Sequence, residues 1–216
     1  TANYKDADES YQFLSHQLEM QKHMLDEDYV PNTRIHLDAC NSGSQFTSAI
    51  TGDLDGCIAT NVIPTFEDGK IVRKDAYLLV ANKALELSNR MIEKEEDHKS
   101  KETLKFLRDL LINHGRKICK VPVMVSNYGG TTGGRTDILW DMFRELNVER
   151  KWIKRSTAAL FAKIIGDSIV GVLNGGKAFE LYIHKMNNAV AKNNQPIEWT
   201  TGDGFNVVHV KYKELA

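Results

Sequence analysis

The chain has 216 residues, enough for one large domain or two small ones with a buried core. Its 42% hydrophobic and 26% charged residues are typical of a soluble globular protein, and the formal net charge of −1 means that any basic surface must be local. The sequence has no run of about 18 apolar residues, so we expect neither a transmembrane helix nor a membrane partner.

The amino-terminal part is predicted to contain a helix followed by a short strand. Apolar residues at helical spacing predict the helix over residues 8–27. Ile35 and Leu37 alternate with polar residues, which predicts a strand that ends at Asp38. The small and polar residues from Asn41 to Gly56 predict a tight passage from that strand into the next helix.

The middle of the chain is predicted to be helical. Residues 75–90 have a strongly amphipathic pattern, and leucines from Leu104 onward resume it. Residues 93–102 carry dense mixed charge, which indicates a solvated helix end or linker. Pro122 falls inside the segment 116–128, where it must kink a helix or sit in its first turn.

The carboxyl-terminal part is predicted to contain further helices and then a hairpin. Helical patterns cover 135–146, 156–173 and 179–192, the last two separated by Gly175 and Gly176. Residues 199–212 have Thr-rich and Val-rich flanks around Gly-Asp-Gly, which predicts a β-hairpin. The fold class is therefore a mostly helical α+β protein with few strands.

Three clusters of residues could carry chemistry. The first is Asp38 with the small residues after it, because a carboxylate at the end of a rigid strand is suited to hold a metal ion that a substrate can approach. An ordinary turn or helix cap explains the same pattern. The second is Arg116 and Lys120, about 40° apart on a helix, with Tyr128 about 80° further round and Gly129 next to it.

Two cations, an aromatic ring and a glycine on one side of a helix suit a nucleoside triphosphate, since cations bind phosphates and the ring accepts the base and sugar. A solvated basic face beside a core tyrosine is the alternative. The third cluster, the glycine-rich segment 129–134, could form a phosphate loop, but it lacks the Gly-Lys-Ser/Thr ending. A connection between two helices is the simpler interpretation.

Taken together, these clusters resemble the single-subunit RNA polymerase family of phages and mitochondria. Asp38, Gly43 and Gln45 match its motif Asp-x-x-x-x-Gly-x-Gln, and the order Arg116-x-x-x-Lys120-x7-Tyr128-Gly129 matches its next motif without a gap. Weaker similarities lie in register at 61–64, 75–77 and 199–208. The variant around Asp38 is similar to the split, two-subunit RNA polymerases of some podoviruses.

The resemblance implies the palm and fingers part of a right-hand polymerase. Residues 1–60 would be a palm portion, 61–192 helical fingers, and 193–216 a hairpin in the fingers or palm region. Asp38 and the backbone carbonyl of Ala39 would help to hold two Mg²⁺ ions. Arg116 and Lys120 would hold the triphosphate, Tyr128 would close over the nucleotide and help to select ribose, and Gly129 would keep the backbone clear of the template base.

The implied activity is DNA-templated RNA synthesis from ribonucleoside triphosphates. Related family A DNA polymerases exclude ribose with a bulky glutamate just after the metal-binding aspartate, whereas the residues 40–44 are all small here. This favours RNA synthesis over DNA synthesis. The implied partners are a DNA template and the nascent RNA, and the location is the cytoplasm of an infected bacterium or, alternatively, the mitochondrial matrix.

The family also requires a second aspartate in a His-Asp pair, which this sequence lacks. We therefore expect the metal site to have only one of its two aspartates, and the enzyme to be completed by carboxyl-terminal residues or by a second polymerase subunit. The missing initiator Met is consistent with a fragment, and a template-opening helper protein is a plausible further partner. A family A-like DNA polymerase, an inactive nucleic-acid-binding subunit of the same fold and a nucleotide hydrolase that uses the glycine-rich loop remain alternatives.

Overall fold

The computed structural model describes residue 5 and residues 7–33, 41–192 and 196–209. The chain divides into two compact units, Thr1–Ala39 and Cys40–Ala216. The predicted strand at residues 35–38 lies outside the described residues. The described part is mostly helical with two small two-stranded sheets, which confirms the predicted α+β class.

The first unit contains helix α1, Ser10–Leu25, which confirms the helix predicted over residues 8–27. Glu19 of α1 accepts hydrogen bonds from Lys22 Nζ at 2.9 Å, the Asn32 backbone N–H at 2.8 Å and the Tyr29 hydroxyl at 2.8 Å. These bonds lower the pKa of Glu19 to about 2. The residues that follow α1 are therefore folded back onto the helix.

The second unit contains seven described helices and four strands. The helices are α2 (Ser42–Thr51), α3 (Leu54–Ala59), α4 (Ala76–Lys94), α5 (His98–Ser126), α6 (Thr132–Glu145), α7 (Arg155–Val172) and α8 (Asn174–Lys192). The strands are β1 (Thr65–Glu67), β2 (Lys70–Val72), β3 (Ile197–Thr200) and β4 (Asn206–His209). The charged stretch 93–102 contains the break between α4 and α5, as its composition predicts.

The hydrophobic core lies between α4, α5, α6 and α7. Leu107 of α5, Phe143 of α6 and Phe161 of α7 are among its largest fully buried side chains. Phe143 and Phe161 stack with ring centroids 6.2 Å apart. These four helices pack together mainly because each of them buries one apolar face against the others.

Short polar side chains fix where the helices begin. Asp53 accepts from the Gly56 N–H at α3, and Asp75 accepts from the N–H groups of Tyr77 and Leu78 at α4. Asp97 and Thr131 do the same at α5 and α6. Each cap satisfies backbone N–H groups that have no partner inside the helix.

Two predictions about the second unit are wrong. The stretch from Asn41 to Gly56, predicted to be a tight passage from a strand into the next helix, instead contains all of α2 and the start of α3, and the residues that α2 buries are the polar Ser44, Thr47 and Ser48. Gly175 and Gly176 do not separate two helices but lie in the first turn of α8. A Cβ at Gly175 would lie 2.1 Å from Thr51 Oγ1, so close packing explains the glycine there.

One hairpin was predicted and the other was missed. Strands β3 and β4 are antiparallel, with Trp199 opposite Val207, which confirms the predicted turn at Gly-Asp-Gly. Strands β1 and β2 also form a hairpin. Asn61, which has a φ of 62°, closes its base: its side chain donates to the Lys74 carbonyl and accepts from the Lys74 N–H, at 2.8 and 2.7 Å.

Within the described residues, no single helix is both long and apolar enough to cross a membrane. Helices α7 and α8 pass that test only as a pair, and they are bent by 100° relative to each other. Most of the apolar side chains of α7 belong to the core described above.

Candidate nucleotide-binding site

The carboxyl-terminal half of α5 carries both predicted phosphate-binding cations. Arg116 and Lys120 are exposed and lie four residues apart, so about one helical turn separates them. Pro122 is buried inside α5, and the helix continues to Ser126. The proline thus sits in the helix interior rather than in a first turn.

Arg116 is positioned by residues at the start of α4. Its Nε donates to Asp75 Oδ2 at 2.5 Å, and its guanidinium carbon lies 5.6 Å from the centroid of the Tyr77 ring. Because the contact to Asp75 is made through Nε, the two terminal nitrogens of the guanidinium stay available for another ligand. Asp75 also caps α4 through its other oxygen.

The pKa of Asp75 reflects these contacts. Burial alone would raise this pKa, but hydrogen bonds from Arg116 and from the backbone N–H groups of Leu78 and Tyr77 outweigh burial and lower it below its ordinary value. Arg116 responds in the opposite sense, because its bond to Asp75 raises the pKa of the guanidinium. The pair is therefore ionised at neutral pH.

Lys120 differs from Arg116 because it has no ionic partner among the described residues. Among the residues that the structure describes, no carboxylate oxygen lies within 4.0 Å of its ammonium. The exposed side chain is thus a cation without a neighbouring counter-charge. Such a group is suited to bind an anionic ligand from solution.

The chain leaves the helix just before Tyr128, so the prediction that Tyr128 continues the helical face is wrong. Asn127 caps α5, and the N–H groups of Tyr128 and Gly130 both donate to the Val125 carbonyl at 3.1 Å. Gly129 has a φ of 76°, a conformation that favours glycine. Tyr128 is 79% exposed at this turn, which contradicts the alternative of a core tyrosine.

Asn127 links the end of α5 to the start of α2. Its Nδ2 lies 2.9 Å from Ser44 Oγ and 3.5 Å from Asn41 Oδ1, and it also donates to the Val123 carbonyl at 3.2 Å. A Cβ at Gly43 would lie 3.0 Å from Asn127 Cβ, so a side chain there would press on Asn127. Sequence reasoning missed Asn127; its only signal was its place next to Tyr128.

The residues of the first motif that the structure describes also have structural roles. Gly43 and Ser44 contact Asn127, and Gln45 Nε2 donates to the Thr60 carbonyl at 2.7 Å. That bond joins α2 to the end of α3. The small residues after Asp38 are therefore explained at least in part by helix packing.

The first half of the glycine-rich segment, residues 129–131, belongs to the connection between α5 and α6, as the simpler interpretation predicts, whereas residues 132–134 form the first turn of α6. Thr131 caps α6 by accepting from the Gly134 N–H at 3.1 Å. Arg135 folds back over the segment and donates from Nη1 to the Gly130 carbonyl at 2.8 Å. The segment is thus a short turn followed by the first turn of α6, and not a phosphate loop of the Gly-Lys-Ser/Thr type.

The predicted metal ligands Asp38 and Ala39 lie outside the described residues. Within the part of the chain that the structure describes, no group of three or more His, Cys, Asp or Glu side chains could hold a metal ion. The structure therefore gives no geometry for Mg²⁺. The Asp38 carboxylate and the Ala39 carbonyl fit Mg²⁺ by their chemistry, because Mg²⁺ prefers oxygen ligands of these two kinds.

A family model described as DNA-dependent RNA polymerase matches residues 1–215. No curated protein sequence matches the chain. The match covers both compact units and all the residues singled out above.

Proposed function

Since this chain belongs to the DNA-dependent RNA polymerase family, we propose that it carries the nucleotide-binding surface of an enzyme that copies DNA into RNA by a two-metal mechanism. Membership of the family implies a DNA template, ribonucleoside triphosphates and an RNA product. The observation that supports the finer proposal is the arrangement at α5, where two exposed cations lie one turn apart and an exposed Tyr128 follows the end of the helix.

Arg116 and Lys120 are proposed to bind the phosphates of the incoming nucleotide. Arg116 keeps its terminal nitrogens available while Asp75 holds Nε, so its orientation is fixed before a nucleotide binds. Lys120 supplies a compact positive charge on a flexible side chain. Since no described carboxylate pairs with it, a phosphate can bind it without first displacing another anion. Together they would offset negative charge that develops on the phosphates during transfer.

Tyr128 and Gly129 are proposed to contact the base and sugar. The ring of Tyr128 is exposed, and its position is fixed by the turn at Gly129 and by the hydrogen bonds of Asn127. A side chain at Gly129 would require a strained backbone at this φ. A tyrosine held in this way can contact a sugar edge, and we propose that it takes part in selecting ribose.

Asp38 and the Ala39 carbonyl are proposed to contribute ligands to two Mg²⁺ ions. Such ions, when bound, would activate the primer hydroxyl and stabilise the leaving pyrophosphate. A single carboxylate is a weak anchor for two divalent ions, even where waters and triphosphate oxygens fill the remaining coordination positions. We therefore propose that residues outside this chain, in the same protein or in a second subunit, complete the site, and that the chain forms part of a palm and fingers.

The experiment that tests the proposed function is extension of an RNA primer on a short single-stranded DNA template. The preparation would contain this chain and everything that co-purifies with it, with Mg²⁺ and with ribonucleotides or deoxyribonucleotides in parallel. We expect extension with ribonucleotides and its loss in Asp38→Ala, because the variant removes a proposed metal ligand. Asp141→Ala, which changes an exposed carboxylate of α6, is the matched control.

Each outcome has a distinct meaning. Extension that survives in Asp38→Ala would remove Asp38 from the active site. Extension with deoxyribonucleotides alone would change the assignment to a DNA polymerase. Retained template binding without any extension, in a preparation that contains the completing residues, would favour an inactive nucleic-acid-binding subunit.

The role of Lys120 has its own test. Lys120→Ala should raise the KM for ribonucleotides by about tenfold or more, because a charge-assisted bond to a phosphate contributes about 1.5–3 kcal/mol. Lys105→Ala is the matched control, since Lys105 is an exposed lysine on the same helix. An unchanged KM in Lys120→Ala would exclude this lysine from the triphosphate site.

A further inference from the structure

The segments 61–64 and 75–77, which have weak similarity to the polymerase family, meet at the base of the hairpin formed by β1 and β2. Asn61 lies directly after the C-cap of α3, and Asp75 is the N-cap of α4. The chain leaves the body of the second unit after the first segment and returns to it at the second. The contacts between the two segments therefore determine where α4 begins.

Asn61 fixes the backbone of Lys74, the residue before Asp75. Its Nδ2 donates to the Lys74 carbonyl at 2.8 Å, and its Oδ1 accepts from the Lys74 N–H at 2.7 Å. A side chain that bonds both the N–H and the carbonyl of one residue restrains that residue in two directions. Asparagine is also one of the few residues that readily adopts the φ of 62° found at this position.

Asn61 is itself attached to the helices that precede it. Its N–H donates to the Ile58 carbonyl at 3.2 Å. The carbonyl of the neighbouring Thr60 accepts from Gln45 Nε2 at 2.7 Å. Gln45 belongs to α2 and to the first polymerase-like motif, so hydrogen bonds and short pieces of backbone connect that motif to Lys74.

Asp75 continues this connection to Arg116 of α5. Its Oδ2 accepts from Arg116 Nε at 2.5 Å, while its Oδ1 accepts from the N–H groups of Tyr77 and Leu78. Because both oxygens are used, the carboxylate cannot turn without losing a hydrogen bond. The direction of the Arg116 guanidinium therefore depends on the backbone at Lys74 and Asp75.

Gly115 lets α5 come close enough to α4 for this contact. The residue is buried, and a Cβ at this position would lie 3.0 Å from the Cβ of Ala81 on α4. The distance between two packed helices depends on the side chains at their contact. A glycine here thus brings Arg116, the next residue in the chain, toward α4.

We propose that Asn61 is a positioning residue of the triphosphate site, and that it acts on Arg116 through Lys74 and Asp75. Loss of the Asn61 side chain would free the backbone at Lys74 and let the Asp75 carboxylate turn away from the guanidinium. That Arg116 binds a triphosphate rests on the proposed function, whereas the positioning of its guanidinium does not. If Asn61 served only to close the hairpin, its loss would leave Arg116 in place.

The first test observes the Arg116 side chain directly, through the exchange of its Nε–H with water in proton–nitrogen NMR spectra of protein labelled at arginine. Arg116→Lys assigns the signal by removing it. Asn61→Gly keeps the left-handed backbone accessible but removes both bonds to Lys74. It should raise the exchange rate by about twofold to tenfold, which corresponds to the net contribution of one hydrogen bond.

Asn147→Gly is the matched control for Asn61→Gly. Asn147 is also an asparagine with a left-handed φ, of 51°, and its side chain makes no hydrogen bond to any described residue. It should leave exchange at Arg116 unchanged. Asn61→Asp, which keeps the acceptor for the Lys74 N–H, should show a smaller increase than Asn61→Gly. Wild-type exchange in Asn61→Gly, or equal increases in Asn61→Gly and Asn147→Gly, would overturn the proposal.

The second test measures the KM for ribonucleotides in the primer-extension reaction. Asn61→Gly should raise this KM by about twofold to tenfold. In an Arg116→Gln background the same substitution should change the KM no further, because no guanidinium remains to be positioned. Effects of Asn61→Gly and Arg116→Gln that multiply would overturn the proposal, since Asn61 would then act independently of Arg116.

The two tests separate this proposal from the proposed function. Faster exchange at Arg116 in Asn61→Gly, together with a KM that Arg116→Gln leaves unchanged, would uphold the positioning of the guanidinium and reject its role in nucleotide binding. A raised KM in Arg116→Gln, together with wild-type exchange in Asn61→Gly, would uphold that role and overturn the positioning by Asn61.

Discussion

The α4–α7 core and the corner formed by α2, α3 and the first turn of α8 are held together by different forces. In the core, buried aliphatic and aromatic side chains such as Phe143 and Phe161 fill the space between helices. In the corner, glycines and polar side chains do so: Asp53 Oδ1 accepts from the Gly56 N–H at 3.1 Å, and Asp53 Oδ2 accepts from the Gly175 N–H at 2.8 Å.

The core therefore contributes mainly to stability, whereas the corner mainly fixes the positions of helix ends. Burial of apolar surface is non-directional, and the core contributes stability roughly in proportion to the apolar area that it removes from water. A hydrogen bond requires particular atoms at particular distances, so the corner fixes helix ends to within narrow limits. Asn41, three residues after Asp38 in the chain, and Asn127, next to Tyr128, both belong to this directional network.

The largest effect should come from a cavity in the core. Phe161→Ala should reduce the free energy of unfolding by about 3–5 kcal/mol, because it removes a fully buried ring. Leu78→Ala on α4 is the control, since Leu78 is 47% exposed and should change stability by less than about 0.5 kcal/mol. Denaturant unfolding measures both, and equal losses would contradict the assignment of the core.

The second effect should come from filling space in the corner. Gly175→Ala should cost about 1–3 kcal/mol through overpacking, because the new Cβ would collide with Thr51 Oγ1 and Asp53 Cβ. Gly133→Ala is a closely matched control in the first turn of α6, where the nearest atom to a Cβ would be 3.7 Å away. It should be neutral or slightly stabilising. Equal thermal unfolding of the two variants would refute close packing at Gly175.

The contrast also explains which features the sequence could predict. Helical periodicity identified α1, α4, α6 and α7 because apolar spacing reports burial directly. It could not identify α2, because the residues that this helix buries are the polar Ser44, Thr47 and Ser48, and apolar periodicity does not report the burial of polar residues. Likewise, the motif spacing singled out Arg116 and Lys120, but nothing in the spacing indicated that Asp75 forms an ion pair with Arg116.

A third effect should come from the carboxylate that joins two helices in the corner. Asp53→Ala should cost about 1–2 kcal/mol, because it removes the cap of α3 and leaves the Gly175 N–H without its acceptor. Asp53→Asn keeps one oxygen acceptor and should cost less. Denaturant unfolding checks the order of the two variants; equal costs would show that the oxygen retained in Asp53→Asn contributes nothing.

The smallest effect should come from the ion pair between Asp75 and Arg116. Asp75→Asn keeps an oxygen to cap α4 but loses the charge, and we expect a loss of about 0.2–1 kcal/mol because the pair is partly exposed to solvent. Since folding lowers the pKa of Asp75, the contribution of the charge is present above the unfolded pKa of about 3.9.

The contribution of the charge should disappear as the pH falls through the still lower folded pKa of Asp75. The stability difference between wild type and Asp75→Asn should thus be constant near neutral pH and vanish in acid. The measurement is urea unfolding of both proteins between about pH 7 and about pH 2, so that the series extends well below the unfolded pKa. If the stability difference between wild type and Asp75→Asn stayed constant down to acid pH, the charge of Asp75 would contribute nothing to stability. Asp75 would then position Arg116 through hydrogen-bond geometry alone, as the hydrogen bonds of the corner position α8.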